Sequence, residues 1–348
     1  VGPGWLLGIW SRNVATQPGQ KVAGNVATPT NELFLVDPRG GRYVVSANIG
    51  AGTLASWSGD GRRALLTTEV GGTSGGSSTR LVQVDLASGR TGTSFSVPKS
   101  STVFFGSATF TRPRGLALLV TTQTNDRELL QRYSPSGVLE RTYPATFQAG
   151  GAFTGGVLSS PSGTQLVLGT SKGIALVGND GTVLAQVLVP AVSECDPMRW
   201  WSTDVVLASC IGSNGSAQRL YEVPTTHGAA TALTGEPRPP DAGDMNAWAL
   251  GSGVYVQDAG GCGYVYLAKL QPGALTTPVA VPGVKQGNSV FVLGATKDQL
   301  AIQATLNCGP GESVLWFNAA SDTTTIVLGP PVNGGSVSQA LTYPDPNG

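Results

Sequence analysis

The feature that most constrains this chain is a hairpin that keeps returning. The segment "ELFLVDPRGGRYVV" at 32–45 pairs two β-rich stretches across a tight turn. The same plan recurs in "RLVQVDLASGRTGTSFSV" (80–97), "ELLQRYSPSGVLERTYP" (128–144), "GIALVGNDGTVLAQVLV" (173–189) and "QRLYEVPTTHGAATAL" (218–233). It ends with "YVYLAKLQPGALTTPVAV" (264–281) and "VLWFNAASDTTTIVL" (314–328). Successive starts differ by 48, 48, 45, 45, 46 and 50 residues. A second hairpin alternates with the first: "SWSGDGRRALLTT" (56–68), "TFTRPRGLALLVTT" (109–122) and "VLSSPSGTQLVLGT" (157–170), with looser copies at 199–210, 247–258 and 290–305. Gly, Asp and Ser fill the turns because they accept dihedrals that branched residues resist.

Two hairpins per unit at a period of roughly 40–50 residues is the signature of a β-propeller. The expectation is an all-β chain whose residues 1–348 form a single β-propeller domain of seven four-stranded blades. A β-sandwich gives no reason for paired hairpins to repeat at this period, and a β-helix needs shorter coils. Seven hairpins of the first kind face only six complete ones of the second. The missing strands must come from the chain ends, "GWLLGIWSRNV" (4–14) and "GGSVSQALTYP" (334–344), so both termini close one blade. Closure covers edges that an open array would expose.

The second-kind hairpins resemble the "W-S-P-D-G" turn of TolB-type, WD40-like propellers. Trp57, Ser58, Asp60, Gly61, Ala64 and Leu65 carry the likeness, although Gly59 stands where that pattern has proline. Ser160, Pro161, Ser162, Gly163 and Leu166 carry a second version, and Arg112, Pro113, Arg114 and Gly115 fill the turn of a third. The resemblance implies a ring of hairpins and a role in binding proteins. It transfers no catalytic residue, since these motifs are structural. Related propellers also accompany peptidase domains, for which the remaining residues leave no room. Abundant Gly, Ala, Thr and Val, with 6 lysines beside 15 arginines, resembles the composition of exported actinobacterial proteins.

The 21 basic and 21 acidic side chains balance, so the net charge gives no reason to expect nucleic acid or an anionic membrane. The apolar run around Trp5–Trp10 is too short to span a bilayer. Cys195, Cys210, Cys262 and Cys308 match no zinc spacing and no CxxC motif. Two disulfides, Cys195–Cys210 and Cys262–Cys308, are expected, and they imply an oxidising, secreted or extracytoplasmic setting. Trp57, Trp200, Trp248 and Trp316 fall in strand patterns and read as core or blade-interface aromatics. Asp37, Asp85, Asn179 and Asp180 precede Gly-containing turns, where short polar side chains bond the local backbone.

In a four-stranded blade the first–second and third–fourth turns share one face. The longer connectors "EVGGTSGGSSTR" (69–80), "PATFQAGGAFTGG" (144–156), "PAVSECDPMR" (190–199) and "TGEPRPPDAGDMN" (234–246) collect on the other. That rim is the expected binding face. Arg127, Asp196, Arg199, Trp200, Asp244 and Asn246 mix aromatic and directional polar groups there, which suits a protein, peptide or glycan partner. Trp200 and Trp201 alternate across a strand, so at most one of them faces a ligand. Chemistry is hard to assemble. The single histidine, His227, sits in a third–fourth turn, and neither a nucleophile elbow nor a Walker loop accompanies it. No cofactor is expected. Glu194, Asp196, Asp241, Asp244 and Asp258 gather as acidic loop residues that are able to hold calcium. They also furnish a carboxylate pair for acid–base work on a glycan. The leading expectation is an exported propeller that binds a macromolecular partner through its long-loop face. The alternative is a channel-mouth enzyme, either a metal-assisted hydrolase or a carbohydrate-active lyase or hydrolase.

Overall fold

The computed structural model describes residues 1–12, 30–71, 77–98, 103–113, 115–124, 127–215, 217–226, 228–236, 243–260, 264–306, 311–332 and 335–344. The period-two pattern becomes strand throughout. β1 (Leu6–Ser11), β2 (Asn31–Val36) and β3 (Arg42–Ser46) begin the first sheet. The second is β4 (Thr53–Trp57), β5 (Arg63–Gly71), β6 (Ser77–Asp85) and β7 (Thr91–Pro98). The third is β8 (Val103–Phe110), β9 (Leu118–Thr124), β10 (Glu128–Tyr133) and β11 (Leu139–Thr142). A short β12 (Thr146–Phe147) precedes β13 (Gly151–Ser159), β14 (Gln165–Thr170), β15 (Gly173–Gly178) and β16 (Val183–Leu188) in the fourth.

An eight-stranded sheet follows. One half holds β17 (Val192–Trp200), β18 (Val205–Gly212), β19 (Gln218–Pro224) and β20 (Thr231–Ala232). The other holds β21 (Gly243–Leu250), β22 (Gly253–Ala259), β23 (Val265–Leu270) and β24 (Thr276–Pro278). The halves are joined through one parallel pair, Gln218 with Gly243. The sixth sheet is β25 (Ser289–Ala295), β26 (Gln299–Thr305), β27 (Gly311–Asn318) and β28 (Thr323–Leu328). Finally β29 (Ser336–Thr342) returns to the first sheet and pairs with β1, from Leu6 opposite Thr342 to Ser11 opposite Ser336. The two chain ends therefore share one sheet, as the hairpin count requires.

Each sheet packs on the next in chain order, and the sixth packs back on the first through β25 and β29. The result is an all-β, propeller-like ring of six sheets among the described residues. Its core is not central but divided among the interfaces. Leu7, Ile9 and Leu33 of the first sheet meet Leu54, Trp57 and Leu66 of the second. Leu158 and Val167 meet Cys195, Trp200 and Val206 across the fourth and fifth. A separate cluster of Leu207, Leu220, Ala247 and Val256 lies between the two halves of the eight-stranded sheet. Burying a leucine at such a contact is worth about 1.5–3 kcal/mol. The strands farthest from the centre, such as β11, are exposed along their length.

The resembling turns are structural. Ser58 is fully buried; its hydroxyl donates to Asp60 Oδ1 at 2.6 Å and accepts from Arg63 N–H at 2.9 Å. Gly59 departs from the proline pattern for a steric reason. A Cβ there would lie 2.2 Å from the carbonyl oxygen of Pro113, in the equivalent turn of the next sheet. Gly163, at φ +71°, meets the Arg112 carbonyl in the same way, at 2.1 Å. Neighbouring hairpins thus interlock, and Arg63 Nη2 adds a 2.7 Å bond to Gly115 O. Asp37 and Asp180 accept local backbone N–H bonds from Gly41 and Thr182, and Asp85 accepts first the Ser88 hydroxyl and then its N–H, which hold all three carboxyls below the usual carboxylate range. Asn179 acts differently, donating 2.7 Å across to Gly163 O.

The expected Cys195–Cys210 disulfide is present, between directly paired residues of β17 and β18 with a Cα–Cα distance of 4.1 Å. Cys262, Cys308, His227, Asp241 and Arg114 lie outside the described residues. One expectation needs correction. The segment 190–199 is not a connector, because Val192–Trp200 is the inner strand β17. Its Pro197, which argues against a strand in sequence, sits beside a bulge between Pro197 and Arg199 that relieves the ladder. Most of 144–156 is likewise strand, in β12 and β13.

Candidate functional site

β29, β4, β8, β17 and β25 lie at one edge of their sheets, β13 is followed at that edge only by the two-residue β12, and β21 meets β19 where the halves of the eight-stranded sheet join. Each runs from the connector rim to the short-hairpin rim, so position along the strand fixes depth. Asp196 lies halfway along β17. Thr154 of β13 donates to both Asp196 Oδ1 and the Cys195 carbonyl, each at 3.1 Å. Two glycines make room for this carboxylate. A Cβ on Gly156 would stand 2.4 Å from Asp196 Oδ1, and one on Gly169 would stand 2.3 Å from Cys195 O.

Glu194 precedes Asp196 on the same strand, and Glu128 opens β10 beside Gly155. Burial pushes the Asp196 carboxyl up, against the opposing bonds from Thr154 and Gly156. Glu194 is raised by burial and then by the Asp196 charge. Glu128 is raised by burial and then by both neighbours. Three carboxyls here hold protons more tightly than free ones do. On the next inner strand, Asp244 pairs directly across the ladder with Asp258, and both are buried. Tyr266 OH donates to Asp258 Oδ2 at 2.9 Å. Among the described residues no group of three His, Cys, Asp or Glu side chains is arranged to hold a metal ion.

Arg199 and Trp200 end β17 and therefore sit at the short-hairpin rim, opposite the rim expected for them. Arg127 stays exposed in the β9–β10 turn, on the connector rim. Asp196 and Asp244 lie between. The structure does bring Arg199 to Asn246, with Nε donating to Oδ1 at 3.2 Å. The guanidinium also covers the Trp248 ring at 4.7 Å. Trp200 is buried, and its indole N–H donates to Ser159 O at 3.0 Å.

Around these residues a cavity of about 420 Å³ opens among the short-hairpin turns of the fifth and sixth sheets and the chain ends beside the first. Arg199, Trp200 and Trp201 come to it from β17 and its hairpin, Trp248 and Ala249 from β21, and Thr296 and Lys297 from the β25–β26 turn. Trp316, Tyr343 and the segments Pro3–Gly4 and Thr342–Pro344 complete the wall. Trp200 and Trp201 pack into different interface clusters, as strand alternation requires, yet both reach the cavity. Lys297, Trp248, Trp316 and Tyr343 were not singled out from the sequence as binding residues. The turns "WWSTD", "WALGSG" and "GATKD" are successive first–second hairpin turns, and that equivalence is the signal that places them together.

No family model and no curated protein matches the chain. Solved structures do. TolB from Acinetobacter baumannii is similar at 12% identity and TM-score 0.50, over 98% of this chain and 67% of its own. The β-propeller domain of the Trilobed protease from Pyrococcus furiosus, which has an open velcro topology, is similar at 10% identity and TM-score 0.58, over 95% and 97%. A puromycin-hydrolyzing peptidase from Mycobacterium tuberculosis is similar at 11% identity and TM-score 0.53, over 94% and 52%. The chain spans about half the length of the peptidases it matches. At these identities the likeness concerns the fold alone, a distant propeller relationship that does not single out TolB-type or WD40 proteins or any bacterial group.

Proposed function

We propose that this chain is a seven-bladed propeller acting as an exported binding module. On this reading it takes a protein or peptide partner at the short-hairpin mouth of its ring. Division of the eight-stranded sheet into two four-stranded halves, with a core cluster between them, supports the count of seven. The buried Cys195–Cys210 bridge supports an oxidising compartment. The observation that carries the binding reading is the cavity itself. Side chains from separate sheets converge there on four tryptophans and two cations, and aromatic and Arg anchors in a concave site are what interfaces use. The test is a photo-crosslinking residue placed at Trp201, against one placed at Leu139 on exposed β11. One defined partner should be captured from the native source at 201 and not at 139. Equal capture at both positions, or none at either, overturns the reading.

A second reading, an enzyme working in the channel, is favoured by the raised carboxyls around Asp196 and by the peptidases among the similar structures. A partly protonated carboxyl beside an ionised one is the pairing that acid–base chemistry needs. Turnover found in a substrate screen, with and without chelator, should vanish in Asp196→Asn or Asp244→Ala. Turnover that survives both excludes these carboxylates.

A further inference from the structure

We infer that the short-hairpin cavity is an anchor for a carboxylate carried on a planar apolar body, such as the C-terminal aromatic residue of a peptide. This rests on the binding reading above and narrows it to a ligand class. In a chain whose acids and bases balance at 21 each, the lining of this cavity holds Arg199 and Lys297 and no aspartate or glutamate. The nearest acid in sequence, Asp298, is exposed on the turn beyond Lys297. Lys297 is itself exposed and makes no ion pair among the described residues. Arg199 is half-buried and fixed in orientation by the Trp248 ring and Asn246. One cation is thus pre-oriented on the wall while the other is free to swing at the lip, an arrangement that favours an anion over a neutral ligand.

The rest of the wall selects the body of that anion. Trp200, Trp201, Trp248 and Trp316 are four of the chain's seven tryptophans. Trp201 is half-buried and offers a surface to a flat apolar group, while the buried Trp200, Trp248 and Trp316 back the wall behind it, and Thr296 and Tyr343 add hydroxyls. A volume of about 420 Å³ accommodates one aromatic residue and its carboxylate, rather than a folded segment.

Because those tryptophans line the site, the intact protein's fluorescence reports occupancy directly. The probes are N-acetylphenylalanine and its uncharged amide. The acid should give a saturable change, and the amide should bind about tenfold more weakly. Lys297→Gln should weaken the acid about threefold or more, and leave the amide and the thermal midpoint unchanged. Lys285→Gln, a surface lysine elsewhere, should alter neither. Equal affinity for acid and amide overturns the inference, as does an acid affinity insensitive to Lys297→Gln or absent up to about 20 mM. If crosslinking at 201 still captures a partner, the carboxylate assignment alone has failed. If both experiments are negative, the binding reading falls with it.

Discussion

Gln339, on the last strand, accepts a 2.6 Å hydrogen bond from the backbone N–H of Leu54, 285 residues earlier in the chain. On the other side of the same strand, Thr342 Oγ1 donates to Leu293 O of β25 at 3.2 Å. The closing strand is therefore stitched to the sheets on both sides as well as to β1.

Removing residues 334–348 should act as loss of an internal part rather than of a tail. It exposes an edge on β1 and opens the interfaces to both neighbours. Stability should fall by about 3 kcal/mol or more, with lower monomer yield. Gln339→Ala should cost about 1–3 kcal/mol by leaving the Leu54 N–H unpaired. A truncation lacking only 345–348 is the control and should melt like the full chain. Equal melting of the long truncation would mean that β29 does not hold the ring shut.

The interlocked turns make a sharper demand. Gly59→Ala and Gly163→Ala each drive a methyl into a neighbouring carbonyl, so each should lower stability by about 2–4 kcal/mol. Gly40→Ala is the comparison for Gly163→Ala, because it shares a positive φ (+88°) but meets no atom within 4 Å, whereas Gly59 is not at positive φ and tests the contact alone. The cost of Gly40→Ala should be backbone strain alone, about 1 kcal/mol. Urea titration of the three variants separates contact from strain.

For the Cys195–Cys210 bridge, loop entropy over 15 residues suggests about 3 kcal/mol. The Cys195→Ala/Cys210→Ala double variant should lose about 2–3 kcal/mol and keep its fold. Both sulfurs are buried, so dithiothreitol should reduce the bridge only on unfolding. A thiol titration in the native and denatured states checks this, and rapid native reduction would contradict the packing.

Asp196 should leave a mark on the pH dependence. Its carboxyl is raised above the ordinary 3.8 by burial, so the folded protein holds that proton more tightly than the unfolded chain does. Stability from this group is then complete below about 3.8 and is lost as pH rises toward the elevated folded value. Asp196→Asn keeps an acceptor for Thr154 without the charge. It should gain about 1 kcal/mol at neutral pH and match the parent in acid. An equal effect at both pH values would mean that repulsion and burial of the charge are not what the substitution relieves.

Architecture was the legible part. Hairpin spacing reports strand pairing directly, and an odd strand left at each end can be satisfied only by closure. Depth was harder to read. Pro197 and the small polar residues around it look like connector, because local propensity knows nothing of the bulge that accommodates proline in β17. That misreading carried Glu194 and Asp196 outward onto a rim and left Arg199 and Trp200 on the wrong side of the ring. The absent proline at 59 was visible in sequence as a departure, but its reason is a carbonyl 54 residues away, which no local pattern encodes.

The Tyr343 N–H donates to Trp5 O at 2.8 Å, so both ends of the described chain leave the first sheet side by side. Order along the sequence is thereby decoupled from order around the ring. A short linker joining the ends, with a cut between β7 and β8, would give a circular permutant that retains every strand pairing. The chain would then begin in a different sheet, and the ring would have lost only the memory of which sheet was made first.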